Sequence, residues 1–225
     1  MVVLSITMVL AGLLFPVLSE ARQRANRVLS ANNLRTIGFA VTMYDSDFRA
    51  LPSSGLLEDG RSPSELTLLY RSEVAHQLDE YDVEVSGWDG LGKLWQWGYL
   101  DAPKAYYAPH RLDFEGHEAV DSALWATGDR DIYGDYHYGG HIEWDTGKRR
   151  SLATEGLIIA CDTIRLVTEL NHEEGMNLVR SDGSVEWISF SPELLASLAR
   201  PDETPAEVRE RYLPLWRRLE GGGSR

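Results

Sequence analysis

Cysteine is nearly absent from this chain. Cys161 is the only one in 225 residues, so no intramolecular disulfide can form and the fold has to rest on its core. Positive charge is also in short supply: 22 Lys and Arg stand against 35 Asp and Glu, a formal net charge of −13. A nucleic-acid binder carries a basic face as its electrostatic footprint, and this composition argues against nucleic acid as a partner. No triad, phosphate loop or paired-carboxylate arrangement rises above chance, so an enzyme is not expected. The length suits one domain with additions, or at most two.

What is present lies first at the N-terminus. Val2 to Leu18 is an uncharged, largely apolar run of 17 residues, punctuated only by Gly12 and Pro16. At helical rise it covers about 26 Å of a bilayer core roughly 30 Å thick, the low edge of what spans a membrane. A cleaved signal peptide is the competing reading. It would need a basic stretch before Val2 and a small-x-small site followed by loop-like composition. Instead Ala21, Ala25 and Ala31 lie within a continuing helical pattern. Val28, Leu34, Ile37, Val41, Tyr44 and Phe48 then form the stripe of a helix lying against a domain. The two segments read as one helix of about 45 residues, ending at the Leu51-Pro52-Ser-Ser-Gly55 breaker.

Charge is uneven along the chain. Residues 1–49 hold five arginines and three acids, or +2, which leaves −15 for the remainder. Arg22, Arg24 and Arg27, beside the apolar run, are placed to meet anionic lipid headgroups. The positive-inside rule alone would put this side in the cytoplasm.

The run from Val2 to Arg22, with Asn33-Leu-Arg-Thr-Ile-Gly38 and Met43-Tyr44, resembles the N-terminal helix of type IV pilin-like proteins, including the pseudopilins of type II secretion systems. In that family the leader ends in Gly followed by Phe-Thr-Leu-x-Glu. No such residues precede Val2, and the alignment puts that glutamate just upstream of Met1. The upstream sequence therefore decides whether the family's leader cleavage and N-methylation apply here. The resemblance implies that Val2, Leu10, Gly12, Leu14 and Pro16 belong to a membrane and assembly helix. It also implies that the far end of this helix faces outside, against the charge rule.

A second likeness lies near the other end. His172, Gly175, Asn177, Asp182 and Gly183, within Asn171 to Ile188, are similar to the His-x9-Asp-Gly signature of a large subgroup of bacterial pilin-like envelope proteins. Gly90-Leu-Gly92 through Gly98-Tyr-Leu100 is similar to that subgroup's Gly-x-Gly-x-Leu-x-x-x-Gly-Tyr-Leu segment. Ala105-Tyr-Tyr-Ala108-Pro109 is similar to its Phe-Tyr-Cys-Pro stretch, with Ala108 where cysteine is usual. Read without the family, Asp182-Gly183 is a two-residue type I′ hairpin turn between strands that alternate on either side. His172 is expected to hydrogen-bond neighbouring backbone and fix the hairpin against the stalk helix. No second histidine at ligand spacing argues for metal or catalysis there.

The middle of the chain offers weaker signals. Ser62-Pro63 through Tyr70 reads as a capped short helix. His137-x3-His141-x-Glu143 has a spacing that could hold zinc, but Tyr138-Gly139-Gly140 is a poor helix. Asp129, Asp131 and Asp135 suggest an oxygen-rich calcium loop, although Gly134 falls outside an EF-hand frame. Calcium is the one cofactor the resemblance suggests, and no other is expected. Trp88, Trp95 and Trp97 could form an aromatic platform for carbohydrate, or fill the core under long loops. Cys161 ends the apolar run Gly156 to Ala160 and reads as an inert thiol on a buried central strand.

Ser191-Pro192 starts a short helix running to Leu198. Thr204-Pro205-Ala-Glu207 caps a second, Val208 to Leu219, which Pro214 is expected to kink or break. Taken together, the sequence reads as an α+β pilin-like protein with a long N-terminal helix on an antiparallel sheet and a C-terminal helical extension. Three parts are expected: a transmembrane and stalk helix over 1–50, a head over 51–190 and a helical tail over 191–225. The function implied is a structural pilin or pseudopilin-like component, single-pass in the bacterial inner membrane, with the head in the periplasm or on the cell surface. Its partners would be other pilin-like subunits, secretion or pilus machinery and membrane lipids. The alternatives are a tethered module that binds carbohydrate or another surface ligand, and an anchored paralogue that never polymerises.

Overall fold

Leu34, Ile37, Val41 and Tyr44 recur at helical spacing, and their burial sets the path of the longest element. In a computed structural model, helix α1 runs Val2–Phe48. The structure describes residues 2–60, 65–75, 77, 86–109, 122–164, 166, 168, 170–198, 200 and 202–221; of residues 2–11, 13, 122–124 and 205 it describes the backbone. The buried stripe of α1 is Ser30, Leu34, Ile37, Ala40, Val41 and Tyr44. Two expected members fall outside it: Val28 and Phe48 are exposed. Val28 lies two residues, about 200° of helical rotation, from Ser30, so it points away from the head. Arg49, at φ 54, stops the helix in the left-handed region, and Pro52 holds Leu51 out of helical geometry.

The head is built on a four-stranded antiparallel sheet in the order β3-β4-β5-β6: Tyr136–Tyr138, Ile158–Asp162, Gly175–Arg180 and Val185–Ser189. Strand alternation sorts its faces. Tyr136, Asp162, Asn177 and Trp187 fall on the face that α1 crosses, while His137 and Cys161 pair on the other. Cys161 is buried on an interior strand, as its apolar run suggested, and burial pushes its thiol pKa far up. A two-stranded sheet pairs β1, Leu68–Tyr70, with β2, Ile132–Tyr133. This overturns the short helix expected through Tyr70: pairing with β2 and complete burial of Leu68–Tyr70 outweigh the local capping signal, and Ser62 to Ser64 lie outside the described residues. Short helices α2 (Gly55–Glu58), α3 (Gly92–Gln96) and α4 (Ser122–Thr127) lie in the connections.

The hairpin between β5 and β6 is present, but its turn differs from expectation. Gly183 alone takes a positive φ, 80, and Arg180 donates from its N–H to Ser184 O at 2.9 Å. With Val179 opposite Val185, the loop has three residues, Ser181-Asp182-Gly183, and glycine occupies its left-handed position. Ser184 N–H donates to Asp182 Oδ1 at 2.9 Å, a local bond that keeps Asp182 out of the left-handed region a type I′ turn would require.

The tail docks on the head. Helix α5, Pro192–Ala196, is capped by Ser191, whose Oγ accepts from Leu194 N–H at 3.2 Å, and it stops short of Leu198. Helix α6 runs Pro205–Gly221, starting before Val208 and passing through Pro214 without a break. Thr204 and Glu207 close a capping box, with Thr204 N–H donating to Glu207 Oε2 at 2.8 Å. Burial of Val208, Tyr212, Leu215, Trp216 and Leu219 on both sides of Pro214 compensates for the hydrogen bond that proline removes. Arg180 donates to Leu219 O at 3.1 Å, and Arg150 pairs with Glu220. Tyr212 and Trp216 pack their rings 5.7 and 5.6 Å from that of His137. His137 is fully buried, its ring nitrogens have no hydrogen-bond partner among the described residues, and burial pushes its pKa down to about 3.

Two predictions follow from this packing. A Cβ on Gly38 would sit 2.8 Å from Val179 Cγ2, so Gly38→Ala is expected to cost about 1–2 kcal/mol in thermal unfolding of the full chain, with partial rescue by Val179→Ala. His137 binds its proton only in the unfolded chain between pH 6.5 and about 3. Stability therefore falls as pH drops through that window, by at most about 1.4 kcal/mol per unit from this residue, and His137→Phe should flatten the slope.

Candidate functional site

The sheet face that meets α1 carries a carboxylate that is shut off from bulk solvent. Asp162 is 1% exposed at the end of β4, and every hydrogen bond it makes comes from another segment. Its Oδ1 accepts from Ser30 Oγ on α1 and from Asn171 Nδ2 at 3.1 Å. Its Oδ2 accepts from Asn177 N–H at 2.6 Å and from Asn177 Nδ2 at 3.0 Å. Hydrogen bonds to a charged group contribute about 1.5–3 kcal/mol each, which is what offsets the desolvation of an ion held this deep.

The partners of Asp162 reach onward to the helix. Asn177 Nδ2 also donates to Arg27 O at 3.1 Å, which occupies a carbonyl of α1. Asn33 Nδ2 donates to Tyr107 O and to Tyr136 Oη, both at 3.1 Å. Arg27 lays its guanidinium over the Trp187 ring, 3.6 Å from its centroid. Asn171 Nδ2 donates to Asp135 O at 2.7 Å, which ties the loop before β5 to the one before β3.

The structure brings His172 and Asn177 of the sequence signature to this junction and leaves Asp182 and Gly183 at the far end of the hairpin. Gly175, the signature's first glycine, has a packing role: a Cβ there would lie 2.3 Å from Ile188 O and 2.6 Å from the Trp187 ring. His172 sits beside the same carboxylate. Its ring meets Trp187 edge-on at 5.5 Å, and its Nε2 lies 3.5 Å from Asp162 Oδ2. Burial is the larger effect on its pKa and lowers it, with Asp162 opposing and Arg27 reinforcing.

Ser30, His172 and Asp162 thus meet, but in the wrong order for a nucleophilic relay. Such a relay puts histidine between hydroxyl and carboxylate. Here the carboxylate is the bridge, and Ser30 is fully buried. The arrangement holds a helix on a sheet.

The remaining candidates lie elsewhere. Trp88 and Trp95 sit half-buried around Trp125, with ring centroids 5.4 and 5.1 Å from it, while Trp97 is 54% exposed and packs on Phe48. His137 is on a strand facing α6, whereas His141 accepts from Ser54 N–H at 3.1 Å and lies 3.2 Å from Glu58 Oε1. Asp131 accepts from Ser72 N–H at 2.8 Å, Asp135 is buried and accepts from Ala108 N–H at 3.0 Å, and Asp129 is exposed. Among the described residues, no group of three or more His, Cys, Asp or Glu is disposed to hold a metal ion.

Asp162 itself was missed by the sequence reading, which stopped at Cys161. The available signal was a carboxylate placed directly after a fully apolar strand. Its partners lie up to 132 residues away, and spacing gives no hint of them.

Residues 19–89, about a third of the chain, match the model of a family described as a protein of unknown function (DUF1559). The match takes in α1 from Ser19, α2 and β1, and stops before the hairpin signature. No curated protein and no solved structure matches the chain.

Removing the carboxylate should expose its importance. Asp162→Ala strands buried donors on Ser30, Asn171 and Asn177 and is expected to cost about 3–5 kcal/mol by chemical denaturation. His172→Ala should cost about 1 kcal/mol, the scale of one aromatic contact. Equal losses would mean that the histidine and the carboxylate hold the junction together.

Proposed function

We propose that this chain is a structural, pilin-like component of a bacterial envelope assembly, anchored by α1 and displaying its acidic head outside the membrane. The observation that carries this reading is the division of α1. From Ser30 onward one side of the helix is buried in the head, whereas Leu14, Phe15, Val17 and Leu18 are 64–71% exposed. An apolar stretch that its own head does not cover calls for lipid or for a neighbouring helix. Among the described residues no helix is long and apolar enough to cross a membrane, and the side chains of Val2 and Leu10 lie outside them. Gly12, Leu14 and Pro16 fall on the exposed part of the helix.

A second set of exposed apolar residues supports assembly over simple tethering. Val28, Leu29, Phe39 and Met43 remain 51–67% exposed beside the head. They prolong the uncovered surface of the stalk along the head-packed half of α1. Leader processing, N-methylation and a role in type II secretion belong to the same proposal. The competing reading, a tethered module for carbohydrate, draws on the exposed ring of Trp97.

Cysteine pairs placed at Leu14 and Leu18, and at Phe39 and Met43, separate the two in membranes of the native host. Cys161 is buried and leaves the background clean. Regular multimer ladders from both sets are expected for an assembly. A crosslink-free monomer retained in the membrane would favour the tethered module.

A further inference from the structure

Side chains hold α6 on the head. Among the described residues no main-chain hydrogen bond joins it to the sheet. Arg209 donates to Trp144 O and Arg180 to Leu219 O, while Arg150 and Arg217 pair with Glu220 and Asp145. α1 is tied to the opposite sheet face through Asp162, whose hydrogen bonds draw on no residue of α6. That lock would survive the departure of α6.

Under Tyr212 and Trp216 of α6 lies His137 of β3, 0% exposed. Its ring centroid is 5.7 and 5.6 Å from theirs and 6.3 Å from that of Trp144. Neither ring nitrogen has a hydrogen-bond partner among the described residues. A neutral imidazole already leaves one N–H donor buried without an acceptor there, a cost that an apolar side chain of similar size avoids. An imidazolium would bring two donors and a charge into the same cage of rings.

The groups around it offer no compensation. Opposite it on β4 stands Cys161, which burial keeps a neutral thiol, and from α6 comes Tyr212. Trp144 and Trp216 also line a cleft of about 190 Å³, whose charged groups are Glu143, Asp145, Arg150, Arg217 and Glu220. The two arginines pair with Glu220 and Asp145, and Glu143 accepts from the Thr146 hydroxyl at 2.6 Å. Burial alone shifts the His137 pKa, with no charge acting on it.

We propose that α6 is an acid-released latch: His137 takes up a proton only once the helix has lifted, and the imidazolium then holds it off the sheet face that carries His137 and Cys161. The ring has its ordinary pKa of 6.5 when uncovered and one of about 3 when α6 is docked. Docking is therefore at full strength above pH 6.5 and weakens as pH falls toward 3. The undocking equilibrium should rise about 25-fold from pH 7 to pH 5. The latch lies apart from the stalk and does not depend on how α1 is anchored.

Hydrogen exchange read by mass spectrometry tests this on the full chain in detergent micelles, with each rate divided by that of the unfolded chain at the same pH. A lifted helix of this length is marginal alone, so its amides report undocking. Peptides of α6 are expected to exchange about 25-fold faster at pH 5 than at pH 7. At both pH values they should exchange faster than peptides of β5 and respond less steeply to low urea, because undocking exposes less surface than unfolding. His137→Phe should remove the pH dependence of α6, and His137→Leu does the same with a smaller side chain. An α6 whose corrected exchange is the same at both pH values overturns the proposal. Equal protection and equal urea response in α6 and β5 also overturns it, since the whole head would then be opening. So does a rise in α6 that survives both substitutions, because another group would carry it.

Discussion

The Asp162 carboxylate, buried and held by donors from three segments, is the constraint on which the helix–sheet arrangement depends. An ion so placed is tolerated only when its hydrogen bonds are complete, because each missing donor exposes the desolvation of the charge. Ser30 therefore has to face β4, which fixes the rotation of α1. Asn177 has to serve both Asp162 and Arg27 O, which fixes its axial position. Apolar contacts alone would let a long helix slide by a turn along a sheet face of Val, Ala and Tyr. A directional polar lock removes that freedom.

The same junction leads outward to a surface groove beside α1. Asn171 spends its amide on Asp162 and Asp135, and Arg27 lends its carbonyl to Asn177 and its guanidinium face to Trp187. The residues that secure the helix inside thus also pose the groups that line its surface opening.

The tail shows a different solution. α6 is held by aromatic burial around His137, and its C-terminal turn is pinned by Arg150 to Glu220, by Arg180 to Leu219 O and by Arg217 to Asp145. An imidazole without a hydrogen-bond partner among the described residues is accepted there because it stays neutral. Burial pushes its pKa down to about 3. Protonation would place an unpaired charge among rings, so this interface is the acid-sensitive one.

By itself, the sequence determined the elements whose signals are periodic or local. The long helix, its end before Pro52, the closing hairpin, the buried central strand at Cys161 and the two tail helices all follow from 3.6-residue or alternating patterns and from capping residues. These signals operate within a few positions of one another, so no folding is needed to read them. Tertiary structure alone decided that Leu68–Tyr70 is a strand, because its pairing partner lies some sixty residues away. It decided that α6 runs through Pro214, because burial on both flanks outweighs one lost bond. It also decided that Asp162 is a polar anchor of the junction. A carboxylate after an apolar strand carries no mark of its use until Ser30, Asn171 and Asn177 converge on it, and that convergence exists only once helix and sheet have met.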